Sequence, residues 1–223
     1  MRRRSGDIPP RVQHSLLLRE ITHRVCNEYA AVISGLSRAA ARTTNNEAKL
    51  ALIEAADRLH EHASVHRALQ MPMGETAELS SYVRNLCRAL CLSRLIDNGI
   101  NLTLIERPLD LTSAQCWHVG LILFELVTNA AKHAFSGGGG NIQIECIADS
   151  DRVMCSVRDD GALSDGPTPG RGTEIVNALA KQLGGAVVAR SGLCGTTVIL
   201  VFPRRAPVSG PGESPTGVHG HMD

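Results

Sequence analysis

The segment from Glu125 to Ala134 constrains this chain most, because helical spacing separates its side chains into a polar arc and an apolar arc. The polar arc combines carboxylate, amide, ammonium and imidazole groups, on Glu125, Asn129, Lys132 and His133. The apolar arc predicts packing against a core. An Asn oxygen is a hard ligand for Mg²⁺, and a nearby cation can meet phosphate oxygens. The segment alone fits a magnesium–nucleotide site and an ordinary surface helix equally well.

Charge and composition exclude two classes of partner. The chain has 223 residues, a formal net charge of +1 and only 3% aromatic residues. It therefore lacks the basic and aromatic surface pattern of a nucleic-acid-binding protein. The basic residues Arg2–Arg4 are followed by prolines instead of an apolar core, and no apolar run reaches membrane-spanning length. We expect a cytoplasmic protein with no nucleic-acid and no membrane partner.

The chain divides into a helical part and a mixed part. Residues 1–12 and 204–223 are rich in Pro, Gly, Ser and charge, which predicts disordered ends. Within residues 13–73, apolar side chains recur at three-and-four spacing, and Asn45–Asn46 ends the first helical pattern and can cap the second. The second pattern runs to Pro72. Each stripe is too narrow to be buried alone, so we predict an antiparallel helical hairpin that pairs with a second copy as a homodimeric four-helix bundle.

Residues 74–203 alternate between helical and strand patterns. The predicted helices cover about 77–96, 113–133 and 173–183, and the predicted strands cover 100–105, 141–148, 152–158, 186–190 and 196–202. This order predicts an α+β fold in which helices lie on one face of a mixed sheet.

Three short motifs could carry chemistry. The His23 side chain points away from the apolar seam of its helix, so its imidazole should be exposed and able to attack a phosphoryl group. Asp159-Asp160-Gly161 ends a strand, where a carboxylate can accept a hydrogen bond from an exocyclic amine. Gly170-Arg171-Gly172 precedes a helix, where backbone N–H groups can face a polyphosphate. Alone, the histidine is better explained as a surface residue and the Asp-Gly pair as a turn. A single G-x-G discriminates poorly, but its position between a strand end and a helix strengthens the phosphate-binding interpretation.

Together the motifs resemble the histidine kinases of the HisKA_2 and HWE type. The segment from Leu16 to Asn27 resembles their phosphoacceptor box, and Glu125–His133 resembles the N box of the Bergerat (GHKL) ATP-binding fold. The Asp159–Gly161 and Gly170–Gly172 segments resemble its G1 and G2 boxes, and Gly195-Thr196 resembles its last G-T element. The resemblance implies a helical hairpin followed by a Bergerat-type α/β sandwich.

The resemblance also implies roles for individual residues. His23 would be phosphorylated, Asn129 would bind Mg²⁺, and Glu125 would lie near the metal and the attacking group. Lys132 and His133 would approach the phosphates of ATP, and Asp159 would read the adenine. The remaining nucleotide contacts would come from Gly161, Gly170, Gly172 and Thr196. The phosphoryl group would pass from ATP to His23 and then to an aspartate in the receiver domain of a response regulator.

Two alternatives remain. Leu163 stands where the G1 box has its second glycine, and no recognisable sensor domain precedes the hairpin, so a separate sensor protein would supply the input. Both features also suit a dimeric histidine phosphotransferase that relays phosphate between response regulators through a degenerate ATP-binding domain. An anti-sigma-type serine kinase or binding module would share the ATP fold, but it would need neither the hairpin nor the His23 box.

Overall fold

The N-terminal part is an antiparallel helical hairpin. A computed structural model describes residues 10–135, 138–161 and 171–204. Helix α1 spans Pro10–Arg42 and helix α2 spans Asn46–Ala68. Asn45 caps α2 as predicted, because its side-chain oxygen accepts a hydrogen bond of 3.1 Å from the Ala48 N–H. Helix α1 begins a little before the predicted boundary at residue 13, and α2 ends before the predicted end at Pro72.

The segment after the hairpin contains a small sheet that the sequence did not predict. Strand β1 (Thr76–Glu78) pairs in antiparallel register with strand β3 (Asp110–Thr112). Helix α3 therefore begins at Leu79, not at residue 77, and ends at Leu90. A π-helical turn (Cys91–Leu95) and a 3₁₀ turn (Ile96–Asn98) extend it to Gly99, which adopts a φ of +65°.

A mixed five-stranded sheet forms the second part. It contains β2 (Ile100–Glu106), β4 (Gly140–Ala148), β5 (Arg152–Asp159), β6 (Ala186–Gly192) and β7 (Gly195–Pro203), in the order β2-β4-β5-β7-β6. The β2–β4 pair is parallel, and the other neighbours are antiparallel. Helices α4 (Ser113–His133) and α5 (Arg171–Gln182) complete the element order. The predicted α+β class and mixed sheet are confirmed.

Alternation along the strands determines which side chains face the helices. Val153, Cys155 and Val157 of β5 are buried, and the residues between them are more exposed. Asp159 continues this period of two, so the strand directs its carboxylate toward the same covered face, and the residue is only 7% exposed. Helix α4 packs against β5 and contacts both α3 and α5. The predicted one-sided layering is confirmed, and the core lies between these helices and the sheet.

None of the helices within the described ranges combines the length and the apolar character needed to cross a membrane.

Candidate functional site

Helix α4 holds the polar arc in a fixed position. Its first turn is closed by a capping box, in which Gln115 N–H donates to Thr112 Oγ1 and Thr112 N–H donates to Gln115 Oε1, both at 3.2 Å. The T-x-x-Q pattern in the sequence is a direct signal for this boundary. The residues of α4 that pack against the core include Ile122 and Val127, which have no exposed surface. They fix the helix rotation that sets the direction of the polar arc.

The polar arc runs from the margin of the core into solvent. Glu125 and Asn129 are half-buried, and Lys132 and His133 in the last turn are exposed. Along α4, the surface therefore changes from oxygen ligands, a carboxylate and an amide, to cationic side chains. Its buried end suits a hard cation, and its exposed end suits phosphate oxygens.

The start of helix α5 lies directly over the half-buried end of this arc. A Cβ atom added to Gly172 would lie 3.2 Å from Glu125 Oε2 and 3.3 Å from Asn129 Nδ2. Any side chain at this position would therefore occupy the space in front of the carboxylate and the amide. The fold brings Glu125, Asn129 and Gly172 together, although Gly172 lies 43 positions after Asn129 in the sequence.

A second group of predicted residues meets at the end of strand β5. The buried Asp159 carboxylate accepts hydrogen bonds through Oδ1 from the backbone N–H groups of Gly161 and Thr196, each at 3.2 Å. The antiparallel pairing of β5 with β7, with Arg158 opposite Thr197, delivers Thr196 to this point. One carboxylate oxygen is thereby held in place, which fixes the orientation of the other.

Close backbone contacts join this second group to α4. A Cβ atom on Gly161 would lie 2.3 Å from the Ala134 carbonyl oxygen, so only glycine allows the approach to the residue that follows α4. Gly195 has a φ of +108°, and a Cβ atom there would lie 1.9 Å from the Asp159 carbonyl oxygen. The Asn129 group and the Asp159 group therefore lie one after the other along α4. Asn129 and Ala134, which mark the two groups on this helix, are a little more than one helical turn apart.

The structure does not describe every predicted site residue. Gly170 lies outside the described residues, as does Leu163. The exposed side chains of Lys132 and His133 follow the arc, but they form no hydrogen bond or ion pair with another described residue. Six predicted residues are thus brought into the two groups, namely Glu125, Asn129, Asp159, Gly161, Gly172 and Thr196.

His23 lies apart from these groups, on the exposed surface of α1. Asn27, one turn later, places its side-chain Nδ2 at 3.3 Å from His23 Nδ1. Glu20 forms an exposed ion pair with Arg24 at 2.9 Å. The predicted exposure of His23 is confirmed, and no hydrogen bond or ion pair between described residues connects it to Glu125 or Asn129.

The open end of the hairpin is anchored to helix α4. The Trp117 indole Nε1–H donates a 3.0 Å hydrogen bond to the carbonyl of Leu69, immediately after α2. On the hairpin side, His66 stacks on Tyr29 with ring centroids 5.4 Å apart. Burial, assisted by the charges of His62 and Arg94, lowers the pKa of His66 below its ordinary value. The helix that carries the polar arc is therefore in direct contact with the hairpin that carries His23.

Sequence reasoning missed two further polar features near the site. Asp160 accepts hydrogen bonds of 2.7 Å from both the side chain and the backbone N–H of Asn141, and these bonds lower the pKa of its carboxyl. Within the part of the chain that the structure describes, the buried Thr128 hydroxyl has no hydrogen-bond partner. Neither feature has a local signal, because the Asn141 contact spans two strands and the Thr128 environment is tertiary.

Two family models match the chain in the order of its two parts. Residues 20–94 match the family described as histidine kinase. Residues 117–206 match the family described as histidine kinase-, DNA gyrase B-, and HSP90-like ATPase. The first match includes His23 and Asn27, and the second includes both residue groups along α4.

Individual proteins give the same assignment. The sensor histidine kinase PdtaS of Mycobacterium tuberculosis is 30% identical over 195 residues, which are 83% of this chain and 39% of that protein. Blue-light-activated histidine kinase 2 of Erythrobacter litoralis is 25% identical over 198 residues, which are 83% of this chain and 56% of that protein. The chain therefore spans less than two thirds of the length of these relatives.

A solved structure has the same fold. The histidine kinase domain of a blue-light activated histidine kinase from Erythrobacter litoralis superimposes with a TM-score of 0.57 at 21% identity, covering 80% of this chain and 94% of that domain. The two family matches, the related sequences and this fold agree with one another, and the chain belongs to the histidine kinase family.

Proposed function

We propose that this chain is the phosphotransfer and ATP-binding part of a two-component signalling kinase, which phosphorylates His23 from Mg–ATP and passes the phosphoryl group to an aspartate of a response regulator. The observation that carries this proposal is the close approach of Gly172 to the side chains of Glu125 and Asn129. The same chain exposes His23 on the surface of its helical hairpin. In this proposal residues 13–73 form the phosphotransfer hairpin and residues 74–203 form the ATP-binding domain.

The donor set fits magnesium. Asn129 offers an amide oxygen and Glu125 a carboxylate, which are hard oxygen ligands, and the missing Cβ of Gly172 leaves space in front of them. Asn129 would hold the ion, which when bound neutralises charge on the transferred phosphoryl group. Glu125 would position the groups around it. The exposed Lys132 and His133 would meet the phosphate oxygens, as would the backbone at Gly170 and Gly172.

The Asp159 group would bind the adenine. Its Oδ1 atom is already held by Gly161 and Thr196 N–H groups, so Oδ2 is the oxygen that can accept a hydrogen bond from the exocyclic amine. The absence of a side chain at Gly161 lets the backbone approach a flat ring. Burial on the covered face of the sheet excludes competing water from this contact.

The transfer itself is an in-line displacement. A neutral His23 would attack the γ-phosphorus through Nε2, so that an N–P bond forms while the bond to the leaving ADP oxygen breaks. Positioning and charge neutralisation supply most of the rate enhancement in such reactions. Because His23 lies apart from Asn129, the hairpin and the ATP-binding part must approach each other before transfer, either within one chain or between two copies.

The hairpin surface supports a homodimer. Four large apolar side chains on α1 and α2 are between 41% and 68% exposed, namely Ile21, Val32, Leu50 and Ile53. A second hairpin would bury this surface in a four-helix bundle. A cytoplasmic location belongs to the same proposal.

The direct test is incubation of the purified protein with γ-labelled ATP and Mg²⁺. Acid-labile, alkali-stable label is expected on the wild-type chain, and it should disappear in His23→Gln and in Asn129→Ala. The His23→Gln variant should remain dimeric, because its side chain lies outside the apolar seam. Label that persists in His23→Gln would contradict the proposal.

The same variants separate the relay alternative from the kinase. A wild-type chain that takes no label from ATP, but accepts phosphate on His23 from a phosphorylated response regulator, would be a phosphotransferase. Asn129→Ala would then leave the transfer unchanged, whereas His23→Gln would abolish it.

A further inference from the structure

One carboxylate interrupts an apolar seam on helix α1. Ile21 and Val32, which are 49% and 52% exposed, lie on the same side of the helix as Glu28, because residues seven and eleven positions apart return to one side. Glu28 is exposed in a single copy, and its side chain forms no ion pair with another described residue. The homodimer proposed above would bury this side of α1. An unpaired carboxylate there would lose its hydration, so the second copy must supply a positive partner.

The matching side of α2 carries two imidazoles. In an antiparallel pair of right-handed helices, the side of α1 marked by Ile21 and Glu28 adjoins the side of α2 that carries His62 and His66. Both histidines are exposed, and the His66 ring is held by its stacking on Tyr29, with ring centroids 5.4 Å apart. A second hairpin on this side would therefore meet a carboxylate on one helix and imidazoles on the other.

Heights along the hairpin place the carboxylate beside one of these imidazoles. Tyr29 lies opposite His66, and Cys26 lies opposite Gln70, whose Nε2 is 3.7 Å from the Cys26 Sγ. Glu28 is therefore at nearly the same height as His66. A two-fold axis along a four-helix bundle keeps equivalent residues of both copies at one height and places α1 of each copy next to α2 of the other. Glu28 of one copy would thus face His66 of the second copy.

The groups that face His66 within one copy are cationic or uncharged. His62 lies one turn before it on α2, Arg94 approaches from the π-helical turn after α3, and Tyr29 contributes an uncharged ring from α1. Burial and the two positive neighbours lower the pKa of His66. A carboxylate from a second copy would raise that pKa again, because it favours the charged form of the ring.

We propose, on the basis of the homodimer in the proposed function, that Glu28 of each copy forms an ion pair with His66 of the other copy across the four-helix bundle, so that protons strengthen the dimer. The dimer then binds more protons than two separate copies wherever His66 is neutral in the monomer and charged in the dimer. Association should accordingly tighten as the pH falls through this window and weaken as it rises. The surface fits a second copy of this chain, because each copy carries both members of the pair.

Sedimentation equilibrium of the full chain at pH 6 and pH 8 tests this coupling. The Kd of the dimer should be about ten-fold lower at pH 6, equivalent to about 1.4 kcal/mol shared by two symmetric ion pairs. Glu28→Gln and His66→Gln should each abolish that difference and leave a dimer with a Kd close to that of the wild type at pH 8. An unchanged difference in Glu28→Gln would overturn the ion pair.

Two exposed residues away from this side provide matched controls. Glu20→Gln removes a carboxylate of α1 that already pairs with Arg24, and His60→Gln removes an imidazole of α2. Both variants should keep the ten-fold difference between the two pH values. His62→Gln should keep most of it, because His62 lies one turn from the contact. A loss confined to His62→Gln would overturn the assignment to His66.

Charge reversal distinguishes a direct contact between copies from an indirect effect. Glu28→Lys should weaken the dimer about ten-fold at pH 6, because the lysine would face an imidazolium, and adding His66→Glu should restore the dimer at both pH values. A double variant as weak as Glu28→Lys would contradict the contact. A chain that is monomeric at both pH values would refute the homodimer and this pair together, and a dimer without a pH response would refute only the pair. A pH-responsive dimer that takes no label from ATP would refute only the kinase proposal.

Discussion

Replacing Gly195 by alanine should damage both the fold and the adenine end of the site. Gly195 has a φ of +108°, and its added Cβ would lie 1.9 Å from the Asp159 carbonyl oxygen and 2.9 Å from Asp160 Cα. A non-glycine residue in left-handed backbone costs about 1–2 kcal/mol. Relief of the clash requires the start of β7 to move by more than about 1 Å, because ordinary heavy-atom contacts lie near 3.5–4.0 Å.

That movement would break a specific hydrogen bond. The adjacent Thr196 N–H donates to Asp159 Oδ1 at 3.2 Å, and a hydrogen bond to a charged group contributes about 1.5–3 kcal/mol. The two effects together predict that Gly195→Ala lowers the free energy of unfolding by about 3–5 kcal/mol. This is a large fraction of the roughly 5–15 kcal/mol of a typical domain.

The matched control lies directly across the same hairpin. Gly192 is the cross-strand partner of Gly195, no described heavy atom lies within 4 Å of its added Cβ, and its φ is not positive. Gly192→Ala should therefore change stability by no more than about 1 kcal/mol. Urea unfolding followed by far-UV circular dichroism should move the midpoint by about 1.5–2.5 M for Gly195→Ala, taking an m value of about 2 kcal/mol/M. Midpoints that agree within about 0.5 M for the two variants would refute the reasoning.

Three further results are expected. Gly172→Ala should weaken ATP binding about ten-fold, because its Cβ would crowd Glu125 Oε2 at 3.2 Å, while Gly35→Ala, with open space around its Cβ, should leave binding unchanged in the same titration. Trp117→Phe should lower the free energy of unfolding by about 1 kcal/mol through loss of the bond to the Leu69 carbonyl, and a urea midpoint equal to that of the wild type would contradict this. Burial lowers the pKa of His118, so just below pH 6.5 the unfolded chain binds more protons than the folded chain. Stability should therefore fall as the pH drops through that window. Urea midpoints measured between pH 5.5 and 7.5 should decline less in His118→Gln than in the wild type.

Local patterns in the sequence determined the helices, most strands and the polar arc. The three-and-four apolar spacing predicted the hairpin, and the Asn45 cap predicted the start of α2. The polar and apolar arcs of α4 predicted the side of the helix on which Asn129 lies. These features depend on side chains a few residues apart, whose geometry follows from the helical or extended repeat itself. The resemblance of the motifs identified the histidine kinase family, and the two family models agree with that identification.

The assembly of the site was decided only by the tertiary structure. Contact of Gly172 with Glu125 and Asn129 depends on the packing of α5 against α4, and the Asp159–Thr196 bond depends on the pairing of β5 with β7. The unpredicted pairing of β1 with β3 likewise joins segments more than 30 residues apart. The residues of a short strand do not indicate which other strand it will pair with, because the pairing depends on the burial of a whole face of the sheet. The sequence alone therefore identified which residues could act, and the long-range packing decided which of them meet.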